Sequence, residues 1–96
     1  MQHMFVVTYD ISDDDQRARV FDTLKSYGEW LQCSVFRCPL DATQLARIRA
    51  EVHEMINDSR DQVLFFDLGP AESEGANPKI ILGKPIQVVR RTAIIL

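Results

Sequence analysis

This chain is short of the residues that break regular structure and of those that cross-link it. Its 96 residues include 4 glycines and 4 prolines, far too few for a low-complexity or collagen-like polymer. The two cysteines, Cys33 and Cys38, stand five apart, and His3 and His53 are the sole histidines that can join them. That spacing fits no zinc site, and a single pair makes no disulfide scaffold, so both read as reduced thiols of a cytoplasmic protein. No stretch approaches the roughly 18 apolar residues of a membrane span, and no membrane partner is expected. The N-terminus also lacks the basic start and long apolar segment of a secretory signal. A cationic surplus is missing too: 11 Lys and Arg face 14 Asp and Glu, for a net charge of -3. A uniformly basic nucleic-acid binder is thereby excluded.

The distribution of charge says more than its total. Residues 1 to 16 carry four acids and no base, 17 to 50 six bases and three acids, 51 to 78 seven acids and one base, and 79 to 96 four bases and no acid. An acidic chain built this way still owns basic patches.

What is present is organised around Phe5-Val6-Val7-Thr8-Tyr9-Asp10, a strand-forming run of near-continuous apolarity that ends on a carboxylate. Alternation places Met4, Val6, Thr8 and Asp10 on one face, and Phe5, Val7 and Tyr9 on the other, with Asp10 at the mouth of a sheet. Ser12 or Asp13 caps a helix over residues 13 to 27. Asp13 and Gln16 have capping-box spacing, Val20, Phe21, Leu24 and Tyr27 recur at helical spacing, and Gly28 closes the segment as a C-cap. Arg17 is a cation near the positive end of this helix, where it is disfavoured unless it pairs with Asp13 or Asp14, or meets a phosphate together with Arg19.

Two short strands follow, about 29 to 32 and 34 to 38, the second stopped by Pro39. Trp30 and Phe36 read as core or interface aromatics. Asp41 and Gln44 repeat the capping box, and Leu45, Ile48, Val52, Met55 and Ile56 form the stripe of a second amphipathic helix over 41 to 57, with His53 on its surface. Residues 62 to 68 are a strand ended by Gly69 and Pro70. The order strand, helix, strand, strand, helix, strand in one domain of 96 residues is that of an α+β ferredoxin-like βαββαβ sandwich, a four-stranded antiparallel sheet with two helices on one face. The first and last strands are apolar on both faces, so the open face calls for a cover, which a symmetric dimer supplies. A loop over 70 to 79 then leads to a surplus strand within 80 to 96, placed to add to the partner's sheet or to form a fifth strand on its own.

Val6-Val7-Thr8-Tyr9-Asp10-Ile11-Ser12-Asp13, then Arg17 and Arg19, then Leu24-Lys25-Ser26-Tyr27-Gly28, then Gln32-Cys33-Ser34-Val35-Phe36 before Pro39-Leu40, resembles the small CRISPR-associated adaptation protein family, the second of the two universal spacer-acquisition subunits. The resemblance is close over residues 1 to 69 and looser beyond. It implies a homodimer with an exchanged C-terminal strand, acting as a metal-dependent endonuclease on single-stranded RNA or double-stranded DNA, or as the non-catalytic bridge that binds duplex DNA and docks the CRISPR integrase subunit. It further implies Asp10 as the metal-binding and catalytic residue with Tyr9 beside it, and Arg17, Arg19, Ser34 and Phe36 as the nucleic-acid-binding set. Where many members carry an arginine in the second strand, this chain has Glu29, Trp30 and Leu31. Two Asp10 carboxylates across a two-fold axis supply the minimum that Mg²⁺ or Mn²⁺ needs. Ser34 has no histidine partner and does not read as a nucleophile. A more distant reading, an RNA-binding or small-molecule-sensing domain of the same fold, lacks the stacking aromatics of the sheet-type RNA binders.

Overall fold

The computed structural model describes residues 1–72 and 80–85. Its elements run β1 (His3–Asp10), α1 (Asp14–Lys25), β2 (Glu29–Gln32), β3 (Val35–Leu40), α2 (Ala42–His53) and β4 (Gln62–Pro70). They form one antiparallel sheet in the order β2-β3-β1-β4, the expected ferredoxin-like arrangement. The strand that ends in Asp10 thus lies inside the sheet, flanked by β3 and β4.

Alternation along β1 buries Phe5, Val7 and Tyr9 beneath the helices, where they join Val20 and Leu24 of α1, Ile48 and Val52 of α2, and Phe36, Cys38 and Leu40 of β3. The opposite face carries neither helix. Along it Val6 lies across from Phe66, Thr8 from Leu64 and Asp10 from Gln62. Leu64 and Phe66 are 40% and 48% exposed there, which agrees with the sequence expectation of a sheet apolar on both sides.

Both helices begin as their sequences require. Asp13 caps α1 by accepting the Gln16 N–H at 2.8 Å. Asp41 caps α2 through a complete capping box, in which the Gln44 side chain also accepts the Asp41 N–H at 2.9 Å.

Several expectations are corrected. Each helix is shorter than its apolar stripe suggests. Gly28 is not a left-handed cap: the cap of α1 is Ser26 in right-handed geometry, and among the described residues the glycines with positive φ are Gly69 and Gly83. A Cβ at position 28 would lie 2.3 Å from the Arg37 carbonyl oxygen and 2.7 Å from Cys38 Sγ, so Gly28 is needed for the close approach of two chain segments. Pro39 does not stop β3, which runs through it to Leu40. β2 starts at Glu29, opposite Arg37, so it does not reach Pro39, whose ladder partner is Met4 of β1 on the other side, and on the β2 side no acceptor is left waiting for the missing N–H. β4 likewise continues through Gly69 to Pro70, which pairs with His3 across a register shift. Residues 80–85 adopt no strand, and the rest of the expected exchanged strand, 86–96, lies outside the described residues, as do 73–79 of the loop. Among the described residues no helix is long and apolar enough to cross a membrane.

Candidate nucleic-acid and metal site

Asp10 ends β1 on the face that carries no helix. It is exposed, and its carboxylate takes no hydrogen bond or ion pair within the described residues. Asp13, Asp14, Asp41, Asp61 and Asp67 all hold protein donors, whereas Asp10, like Asp15 and Asp22, holds none among the described residues. Asp10 is left as a hard oxygen donor facing solvent.

Tyr9 leaves the strand on the other side. Its ring is 7% exposed and packs against Phe36 at 6.3 Å between centroids. Burial raises the phenol above its usual range, against the opposing pull of the Arg17 charge. With Arg17, Phe21, Cys33 and Ser34 it lines a cleft of about 480 Å³ between α1 and the β2–β3 turn. That turn places the non-glycine Cys33 at φ 38. It is held by the Trp30 indole N–H on the Cys33 carbonyl at 3.0 Å and by the Tyr9 N–H on the Ser34 carbonyl at 3.2 Å.

The structure therefore divides the expected site. Tyr9, Arg17 and Ser34 share the cleft, Asp10 stands on the opposite face, and Arg19 is exposed on α1. Phe36 belongs to neither surface. It is 0% exposed and packs edge-on against Phe21 at 5.2 Å, because even-numbered residues of β3 face the helices. Its part is to hold Tyr9 and Phe21, and it cannot reach a nucleic acid. Arg17 is engaged as well: Nη2 pairs with Asp14 at 2.5 Å and Nη1 donates to the Ile11 carbonyl at 3.0 Å. The local pairing expected for this cation is thus present.

Two residues near Asp10 escaped the sequence reading. Asp61, buried at 8% exposure, receives the Asn57 N–H at 2.9 Å and the Ser12 N–H at 3.2 Å. These bonds, the Asn57 one foremost, hold its carboxyl below the usual range. Arg60 reaches the Gln16 side chain at 3.4 Å and adds a half-exposed cation to the same end of the molecule. Neither lies in a periodic stripe, and the signal that was available was a charged pair directly preceding a strand.

No group of three or more His, Cys, Asp or Glu side chains that can hold a metal occurs among the described residues. Among these residues Asp10 offers a single exposed carboxylate, too few oxygen donors on its own for a divalent cation such as Mg²⁺.

The sequence model described as CRISPR associated protein Cas2 matches residues 1–74. The chain is 39% identical over 97 residues to the CRISPR-associated endoribonuclease Cas2 of Geobacter sulfurreducens, with 100% of each chain covered. It is 39% identical over 95 residues to a CRISPR-associated endoribonuclease Cas2 of Rhodospirillum rubrum, covering 99% of this chain and 92% of the relative. The crystal structure of Streptococcus pyogenes Cas2 superposes with a TM-score of 0.65 at 27% identity, covering 69% of this chain and 86% of that one. A full-length match at this identity, on a four-stranded sheet whose central strand ends in a free aspartate, places the chain in the CRISPR-associated Cas2 family.

Proposed function

We propose that this chain is an endonuclease of CRISPR adaptation that cleaves phosphodiester bonds of single-stranded RNA, with duplex DNA as the other substrate to be tested, and that it works as a homodimer. The observation that carries this reading is the Asp10 carboxylate, exposed, unengaged and at the end of a central strand, in a chain whose full-length relatives bear the name endoribonuclease. The apolar face bearing Leu64 and Phe66 is the surface a second copy would cover, bringing two Asp10 residues near one axis.

Two such carboxylates would hold Mg²⁺ or Mn²⁺, which when bound supplies charge stabilisation and an acidified water. The chain's own residues do the rest. Asp10 supplies the anchoring oxygens. Arg19, exposed on α1, and Arg60 beside it are available to nucleic-acid phosphates by charge-assisted hydrogen bonds. Arg17 supports the site by holding the backbone next to Asp10, with Ser34 lining the cleft behind it. Tyr9 and Phe36 give the strand its packed underside. The test is cleavage of labelled RNA and duplex DNA by wild type and Asp10→Asn, each with Mg²⁺, Mn²⁺ and EDTA. Activity that needs both the metal and Asp10 is expected, and cleavage unchanged in Asp10→Asn overturns the proposal.

The separation of Asp10 from the Tyr9 and Arg17 cleft favours a second reading. On that reading the dimer is a non-catalytic bridge that lies along duplex DNA and docks the CRISPR integrase subunit through its C-terminal segment. On this reading Asp10→Asn leaves spacer integration untouched, while removal of residues 85 to 96 abolishes it.

A further inference from the structure

Asp61 is the one charged or polar residue buried among the described residues, and its side chain is 0% exposed. It stands immediately before Gln62, whose partner across the ladder is Asp10. Its two oxygens divide their work. Oδ2 accepts the Asn57 N–H at 2.9 Å, which ties it to its own loop, while Oδ1 accepts the Ser12 N–H at 3.2 Å, which crosses 49 residues of sequence to the segment leaving β1. Arg60 Nε stands 3.7 Å from Oδ1.

The Ser12 N–H belongs to the peptide unit whose carbonyl is that of Ile11, and that carbonyl accepts Arg17 Nη1 at 3.0 Å. One peptide plane is therefore gripped at both ends, a carboxylate on its N–H and a guanidinium on its oxygen. The charges match the direction of the peptide dipole, and both bonds are charge-assisted. Because a peptide unit is planar and stiff, fixing its nitrogen and oxygen fixes its orientation. Ile11 adds a side chain that is 4% exposed. This plane begins one residue after Asp10.

We infer that Asp61 is a positioning residue: acting with Arg17, it locks the Ile11–Ser12 peptide plane and so holds the Asp10 carboxylate in place, without itself touching metal or nucleic acid. The inference rests on the proposed role of Asp10. Its physical basis is preorganisation, since an exposed ligand at a strand end is a precise donor only where the backbone on its far side cannot swing.

The test compares wild type, Asp10→Asn, Asp61→Asn and Asp41→Ala. Asp61→Asn keeps size and one acceptor oxygen but turns an amide donor toward one of the two N–H groups. Asp41→Ala removes the α2 cap beside Leu40, whose ladder partner is His3, at the far end of β1 from Asp10, and serves as a destabilised control. Two readouts apply: amide hydrogen exchange of Ser12 in metal-free protein, and the Mg²⁺ concentration that half-saturates cleavage. In Asp61→Asn the Ser12 amide should exchange at least about tenfold faster and the Mg²⁺ requirement should rise about 10- to 100-fold, the range for residues that orient a ligand. Asp41→Ala should change neither. If Asp61→Asn leaves Ser12 exchange unchanged, or needs no more Mg²⁺ than Asp41→Ala, the positioning role is overturned while Asp10 stands. Cleavage that survives Asp10→Asn overturns the proposed function and this inference with it. Should Asp61→Asn fail to fold, Arg17→Gln frees the other end of the same plane and is read by the same two measurements.

Discussion

Gly28→Ala separates two physical effects of opposite sign. Position 28 has no positive φ, so backbone entropy alone predicts that alanine stabilises the chain, by about 0.4 to 1 kcal/mol, through a less flexible unfolded state. Space predicts the reverse. The new methyl would stand 2.3 Å from the Arg37 carbonyl oxygen, 2.7 Å from Cys38 Sγ and 2.8 Å from Cys38 Cα. Two of these atoms are backbone of β3, which is itself held between β2 and β1, and Cys38 is 0% exposed. Nothing flexible is available to yield. Forcing a methylene into such a site costs about 1 to 3 kcal/mol, and more where backbone must move. Taking a net loss of about 2 kcal/mol and about 4 to 8 °C per kcal/mol for a domain of this size, the Tm should fall by about 8 to 16 °C. The assay is thermal unfolding followed by circular dichroism at equal protein concentration, with a urea titration to confirm an unchanged slope. A Tm equal to or above that of wild type refutes the steric argument.

Three further expectations concern the thiols, the buried carboxylate and the open face of the sheet. Burial pushes the Cys38 thiol up to about 12 while Cys33 is exposed, so a thiol reagent at pH 8 should modify one cysteine per native chain promptly, and two prompt modifications contradict the core described for β3. Asp61 titrates below its ordinary 3.8 because of the Asn57 and Ser12 N–H groups. A carboxylate depressed in the folded state adds stability above its unfolded value and loses it as pH falls through the folded one. The Tm gap between wild type and Asp61→Asn should therefore narrow below about pH 4, near the unfolded aspartate value, and a constant gap from pH 7 to 3 would falsify that assignment. Phe66→Lys places a charge on the exposed apolar face and should move sedimentation from a dimer to the 11.0 kDa monomer; an unshifted boundary removes that face from the interface.

Much of the fold was legible because its signals are local. Val7 and Tyr9 alternate with Val6 and Thr8, Asp13 and Asp41 stand three residues before a glutamine, and Val20 and Leu24 lie one turn apart. Each pattern reports a face or a start within a few positions. The misread positions are those whose reason lies across the sheet. Gly28 looked like a helix end, yet its cause is the Arg37 backbone. Pro39 looked like a stop, yet β2, the strand on the side of its missing N–H, begins opposite Arg37 and does not reach it. The exposed position of Asp10 at a strand end was legible from its place after an apolar run. Phe36 was legible as a core aromatic from its residue pattern, and only the family resemblance placed it among the nucleic-acid contacts. Asp61 was invisible because a carboxylate before a strand looks solvated until its two N–H partners are known.

The position of β1 within the sheet bears on when this protein becomes competent during its synthesis. Asp10 is among the first residues made, but its ladder partner is Gln62 and the grip on Ser12 comes from Asp61. Pairings at such separation carry a loop-closure cost before they return any contact energy, and they form late compared with helices and hairpins. The emerging chain can assemble α1 and the β2–β3 hairpin early, yet it cannot arrange Asp10 until β4 has cleared the ribosome. If Asp10 carries the proposed role, a nuclease laid out in this order stays silent for most of its own translation.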